Sequence, residues 1–161
     1  ARRVESLRQQ LTQPDPGPLA FQAREARLER WVPVDAASAR AMDRTPAPDG
    51  LASLHIAAGA RTSASWRCRV TLLRGRYRFE GRVQTRGLHP LEVGQTHGAA
   101  LRLGGRRERS EAVPDEGAWY PLKLDCRVTD VAEEVELICE LRAGAGEAWF
   151  ELSSLRLVKA D

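Results

Sequence analysis

The chain has 161 residues, 42% of them hydrophobic and 29% charged, the profile of one ordinary globular domain that can bury a core without staples. Its 25 basic and 22 acidic side chains leave a formal net charge of only +3, with Glu interleaved among Arg, which argues against nucleic acid as a partner. No apolar run approaches the roughly 20 residues that span a bilayer, which argues against membrane insertion.

Residues 2–13 place Val4, Leu7 and Leu11 on one helical stripe, and Pro14-Asp15-Pro16-Gly17-Pro18 stops it. Residues 1–18 therefore read as a short amphipathic helix and a stiff linker. A helix this short is not stable alone, so it either docks on the β-rich remainder of the chain or ends an upstream domain. The chain starts at Ala1 without a methionine, which fits a module excised from a longer protein. The excess of Arg over Lys fits a GC-rich, bacterial genome.

Residues 19–161 read as an all-β domain. Leu28, Trp31 and Val32-Pro33-Val34 suggest a first strand, and residues 36–50 a loop rich in small residues and Pro. Leu51 to Ile56 suggest the next strand. Trp66, Cys68, Val70 and Leu72 then alternate with polar residues, and Arg74-Gly75-Arg76 is expected to turn the chain into Tyr77, Phe79, Gly81 and Val83. After a polar loop come residues 99–103, a charged loop, the row Tyr120, Leu122, Leu124, Cys126, Val128, and the row Val135, Leu137, Cys139, Leu141. A glycine turn leads to a closing strand over 148–157. A period of two buries one face of each strand, and about eight such strands predict an antiparallel jelly-roll β-sandwich.

Trp66, the Gly75-Arg76-Tyr77-Arg78-Phe79 strand, Trp119, Val135-Glu136-Leu137 and the segment from Gly146 to Leu157 together resemble the galactose-binding-like jelly rolls, the fold of many carbohydrate-binding modules. The resemblance covers residues 50–159, and it implies a non-catalytic accessory domain that binds glycan, at an extracellular or cell-surface location and beside a neighbouring domain of the same polypeptide. Where many relatives carry Asp in the closing strand, this chain has Ser153 and Ser154. That departure puts a calcium or other polar site at that end in doubt.

In jelly-roll order, Arg67 and Arg69 on one strand and Arg102 on another flank the strand bearing Glu136, Ile138 and Glu140. This face is either a charged groove for sugar hydroxyls or an anionic glycan, or a solvated lattice of ion pairs. Trp119 and Trp149 are the aromatics best placed for exposure, because Tyr120 falls in an inward row and Trp149 falls opposite Phe150; core packing or the plugging of a strand end is the alternative for either, and the one more often met. The candidate ligand-binding set is thus Trp119, Trp149, Arg67, Arg69, Arg102, Glu136 and Glu140.

Cys68, Cys126 and Cys139 all fall in inward rows and read as packed thiols. A bridge between Cys126 and Cys139 or between Cys68 and Cys139 is the alternative. No C-x-x-C occurs, and His55, His89 and His97 are dispersed, so neither a metal nor another cofactor is expected. Gly-x-Ser-x-Gly is absent, and Gly104-Gly105-Arg106-Arg107-Glu108-Arg109-Ser110 lacks a phosphate-loop ending, though its arginines could gather an anion. Glu136 and Glu140, flanked by arginines that keep both ionised, do not make a hydrolytic pair. No catalytic residue is expected. The competing class is a structural or protein-interaction sandwich without a small ligand; the absence of Asn from the chain weakens the glycan reading somewhat.

Overall fold

The alternating rows become nine antiparallel strands in the computed structural model, which describes residues 17–89, 91, 98–113 and 117–160. The helix expected over residues 2–13, and His97, lie outside the described residues. The strands are β1 (Glu25–Arg27), β2 (Val32–Val34), β3 (Ala39–Asp43), β4 (Ser53–Ala58), β5 (Thr62–His89), β6 (Gly98–Leu103), β7 (Tyr120–Ala143), β8 (Ala145–Glu151) and β9 (Arg156–Lys159).

The main departure from expectation is that β5 and β7 are each one long strand. Arg74-Gly75-Arg76 does not reverse the chain: β5 and β7 pair from Thr62↔Ala143 to Val83↔Tyr120, with a register shift between Leu73 and Gly75. Across that shift the two halves bury opposite parities. Inward residues of β5 are even-numbered through Leu72 and odd-numbered from Tyr77, and those of β7 switch from even at Val128 to odd at Val135. Both strands change faces at one level, so the paired ribbon folds over upon itself and supplies strands to both layers. The final segment divides at a similar switch of parity. Phe150 and Leu155 both point inward but stand five residues apart, so β8 ends at Glu151 and a 3-10 turn over Leu152–Ser154 leads to β9. Ser153 and Ser154 are in that turn rather than in a closing strand. The expected first strand shrinks to β2, with β1 ahead of it, because Leu28 and Trp31 turn into the core between them, with Trp31 Nε1 donating to the Leu28 carbonyl at 2.9 Å.

The first layer is β2, residues 62–73 of β5, the later part of β7, and β6. The second is residues 75–89 of β5 with the early part of β7 on one side; on its other side lie β9 with β1, and β8 with β4 and β3. Between the layers Trp31 stacks on Phe79 with ring centroids 6.3 Å apart, and Trp66 Nε1 reaches across to the His55 carbonyl at 3.2 Å. Cys68, Cys126 and Cys139 are buried here as free thiols, so neither bridge forms. Gly146, at φ +102°, lets β8 cross β5 closely: a Cβ there would stand 2.6 Å from the Gly87 carbonyl oxygen.

Candidate functional site

The two outer faces lie on opposite sides of the sandwich and differ in chemistry. On the first layer, β7 runs between β5 and β6, so Glu136 and Glu140 stand among arginines from both neighbours. Arg67 Nη1 donates to Glu136 Oε1 at 2.7 Å and Arg69 Nε to Oε2 at 3.3 Å. Partial burial would raise the Glu136 carboxyl, but the hydrogen bonds from Arg67 and then Arg69 outweigh it and hold it below its ordinary value. Arg67 and Arg69 thus engage both oxygens of Glu136 in a cross-strand lattice. Ile138, in register with both Arg67 and Arg102, is fully buried although it points outward; its arginine neighbours lay their apolar stems beside it. Glu140, farther along β7, is buried and takes two hydrogen bonds from Arg102, at 3.2 and 3.0 Å.

On the second layer, one row crosses four strands. Gln84 of β5 pairs in register with Trp149 of β8, Trp149 with His55 of β4, and His55 with Asp43 of β3. The His55 ring stacks on Trp149 at 5.3 Å between centroids, and its Nδ1 is 2.8 Å from Asp43 Oδ1. A carboxylate can only accept, so Nδ1 carries the proton. Burial would raise Asp43, but hydrogen bonds from Thr45 and His55 prevail and lower it. Three atoms of the row are buried without a hydrogen-bond partner: Trp149 Nε1, Gln84 Oε1 and His55 Nε2, the last 3.4 Å from Glu147 Oε1. Arg86 closes the row from above, its guanidinium carbon 5.3 Å from the Trp149 ring centroid.

Four residues along the same strand, Arg82 covers Trp119 in the same manner, at 5.1 Å. Trp119 is half-buried and donates from Nε1 to Asp49 Oδ2 at 2.6 Å, a bond that lowers the Asp49 carboxyl. Arg82 also donates to Glu151, whose other oxygen accepts from Ser153 Oγ at 3.1 Å; Ser154 Oγ accepts from the Arg82 backbone N–H at 2.8 Å. The two serines thus fix Arg82 and Glu151 at the wall of a groove of about 410 Å³, which Lys123 and Arg156 also line.

The expected site residues therefore do not converge. Arg67, Arg69, Arg102, Glu136 and Glu140 share one outer face, and Trp119 and Trp149 lie on the other. Of the two readings of Trp149, exposure and packing, the structure has packing: the ring points outward, but at 4% exposure it is covered by His55 and Arg86. Sequence reasoning missed His55, Gln84, Arg82, Arg86 and Glu151. Their signal was the outward parity that places each opposite a core residue of its own strand. Among the described residues no three His, Cys, Asp or Glu side chains are grouped as metal ligands.

No family model and no curated protein matches the chain. Solved structures do match in fold. One is endo-1,4-β-D-xylanase 10B of Clostridium thermocellum, its CBM22-1 and GH10 modules complexed with xylohexaose: 11% identity, TM-score 0.55, 81% of this chain but only 26% of that one. The chain thus spans about a quarter of that two-module protein. Another is TmCBM61 in complex with β-1,4-galactotriose: 18% identity, TM-score 0.52, 83% of this chain and 90% of that one. The fold is that of the carbohydrate-binding modules, an all-β jelly-roll sandwich.

Proposed function

We propose that the chain is a non-catalytic glycan-binding module of a larger protein, and that its site is the outer face of the second layer between Trp119 and Trp149. The observation that carries this reading is the row of Gln84, Trp149 and His55, in which a donor and an acceptor lie buried and unpartnered beside an indole that His55 stacks on and that a long, flexible side chain, Arg86, covers. Indole Nε1 can only donate and amide Oε1 can only accept. A sugar hydroxyl does both, so adjacent hydroxyls of one ring meet both atoms, and they meet His55 Nε2 in either protonation state. The apolar face of the sugar would replace the guanidinium on the indole, an exchange of one π contact for another.

Along β5 the side chains of Arg82, Gln84 and Arg86 all face this way, and Arg82 and Arg86 are about 13 Å apart at the rise of a strand. Trp119 and Trp149 then serve as two stacking platforms for successive parts of one extended glycan, with Glu151 and Arg82 offering charged hydrogen bonds between them. The xylanase in which a module of this fold accompanies a GH10 module supports the accessory role. The arginine lattice around Glu136 is assigned to stability in this reading, since Arg67 and Arg69 engage both of its oxygens. The test is affinity electrophoresis on xylan, galactan and β-glucan gels with wild type and Trp119→Ala; the proposal expects retardation by at least one polysaccharide and its loss in the variant, and fails if no polysaccharide retards the wild type.

A further inference from the structure

Glu140 on the opposite face is outnumbered. Its side chain is 4% exposed and lies within ion-pair distance of three guanidinium groups: Arg102 at 3.0 Å, Arg142 at 3.0 Å and Arg109 at 3.6 Å. Arg102 spends both its contacts on Oε2. Arg142 Nε approaches Oε1 too poorly aligned for a hydrogen bond and Arg109 Nη2 stands too far from it, so those two donors, Arg109 Nε and Oε1 itself remain buried without a hydrogen-bond partner. Leaving buried charged donors without an acceptor is costly.

The cluster is held in place by structure. Arg109 belongs to the loop after β6, and that loop is pinned where Ser110 N donates to the Leu101 carbonyl at 2.8 Å and Ser110 Oγ accepts from Leu101 N at 2.7 Å. Ser110 is buried. Burial first, and then the neighbouring charges of Arg142 and Arg102, hold the Arg109 guanidinium below its ordinary proton affinity despite the attraction of Glu140. Among the described residues, three positive groups within ion-pair distance of one carboxylate leave a surplus of positive charge.

We infer that Arg102, Arg109 and Arg142 form a second binding site, specific for an oxyanion such as a sulfate, phosphate or carboxylate group. An oxyanion seated between Arg109 and Arg142 accepts from the donors that Glu140 leaves idle and cancels the surplus charge, and the guanidinium fork matches its geometry. Glu140 sets the arginines in position and repels a second anion. The group could belong to an acidic polysaccharide or be a free inorganic ion, and the two sources separate experimentally.

The test titrates the intact chain with inorganic sulfate and with inorganic phosphate in low-chloride buffer, by calorimetry and thermal melting, and runs it on gels of dextran sulfate, polygalacturonate and neutral dextran. Wild type should bind an anion saturably and melt higher with it. Arg109→Gln and Arg142→Gln should each weaken binding about tenfold, the loss of one charge-assisted pair. If a Gln variant loses its near-ultraviolet circular dichroism, Arg142→Lys keeps the charge without the fork and should still lose several-fold. Glu140→Gln should melt lower than wild type without anion and gain more from sulfate, because three arginines then face one another uncompensated. Arginine-dependent retardation on the acidic gels but not on dextran assigns the site to a polymer; a response to the inorganic ions alone assigns it to a free anion. Absence of saturable binding in every arm, or binding unchanged in both Arg109 and Arg142 variants, overturns the inference. Retardation on neutral glycan gels that depends on Trp119 is independent of either result.

Discussion

The guanidinium of Arg86 lies over the indole of Trp149, 5.3 Å from its ring centroid, and it is the exposed partner of the pair. Replacing it should open the platform rather than damage it. Arg86→Ala removes a cation–π contact worth roughly 0.5–1 kcal/mol at an exposed site and should leave the melting temperature nearly unchanged. Glycan affinity should move with the indole's accessibility and hold or rise; a loss of more than tenfold would show that Arg86 itself, not the ring beneath it, holds the ligand.

Trp149 itself separates packing from recognition. Trp149→Ala empties a nearly fully buried position and should cost about 3 kcal/mol or more in urea unfolding. Trp149→Phe keeps much of the volume and removes the unpartnered Nε1, so stability should stay within roughly 1.5 kcal/mol of wild type while glycan binding weakens. Equal stability losses in the two variants would mean that the indole N–H contributes to the fold.

Stability should fall in acid. Burial alone would raise Glu80, but hydrogen bonds from Arg156 at 2.9 Å and Arg78 at 2.6 Å prevail, so its carboxyl is below the ordinary 4.5; Glu136 is lowered in the same way by Arg67 and Arg69. A carboxyl with a depressed folded-state pKa contributes stability above its unfolded value and loses it as pH falls through the folded value. Thermal melts from pH 7 downward should hold until about pH 5 and then decline, and the decline should be shallower in Glu80→Gln with Glu136→Gln. An unchanged slope in that double variant would assign the acid sensitivity to other groups.

The thiols should be silent until the chain unfolds. Burial pushes the Cys68 thiol up to about 11 and the Cys139 thiol well above its ordinary value, and Cys126 is raised as well. A thiol-reactive chromophore should therefore react with none of them at pH 7.5 in the native protein and with all three in guanidinium chloride. One reactive thiol after denaturation without reductant would indicate a disulfide.

Gly146→Ala should cost about 1–3 kcal/mol, since the added Cβ would meet the Gly87 backbone at 2.6 Å and the φ of +102° disfavours any side chain. Because Gly146 stands near the start of β8, glycan affinity should weaken with it if β8 shifts against β5. A variant as stable as wild type would mean the two strands separate more easily than their close crossing implies.

What the sequence disclosed and what it hid have one cause. Period-two alternation showed the inward rows of β5 and β7, and with them the burial of the cysteines and of Leu137, Leu141 and Phe79, because apolar burial is a local property of a strand. Jelly-roll order placed Arg67, Arg69 and Arg102 beside the strand of Glu136 and Glu140, because pairing order follows from the fold. The Arg74-Gly75-Arg76 segment misled because glycine between charges suits a turn and a bulge equally, and a two-residue hairpin would show the same switch of inward parity between Leu72 and Tyr77; what distinguishes them is that both halves of β5 pair with β7. The row of Gln84, Trp149, His55 and Asp43 was hidden because it assembles residues from four strands that are remote in sequence, through registers that no single segment encodes. Exposure and packing of Trp149 stayed open in the sequence because outward parity says which way a ring points and not what lies across it.

Isothermal titration of one retarding oligosaccharide against wild type, Trp119→Ala and Arg67→Ala decides whether glycan binds the outer face bearing Trp119 and Trp149 or the arginine lattice opposite. Binding at the tryptophan face should be saturable in wild type, weaker by about tenfold or more in Trp119→Ala, and within about twofold of wild type in Arg67→Ala. Binding that survives Trp119→Ala and disappears in Arg67→Ala would place the ligand on the other face.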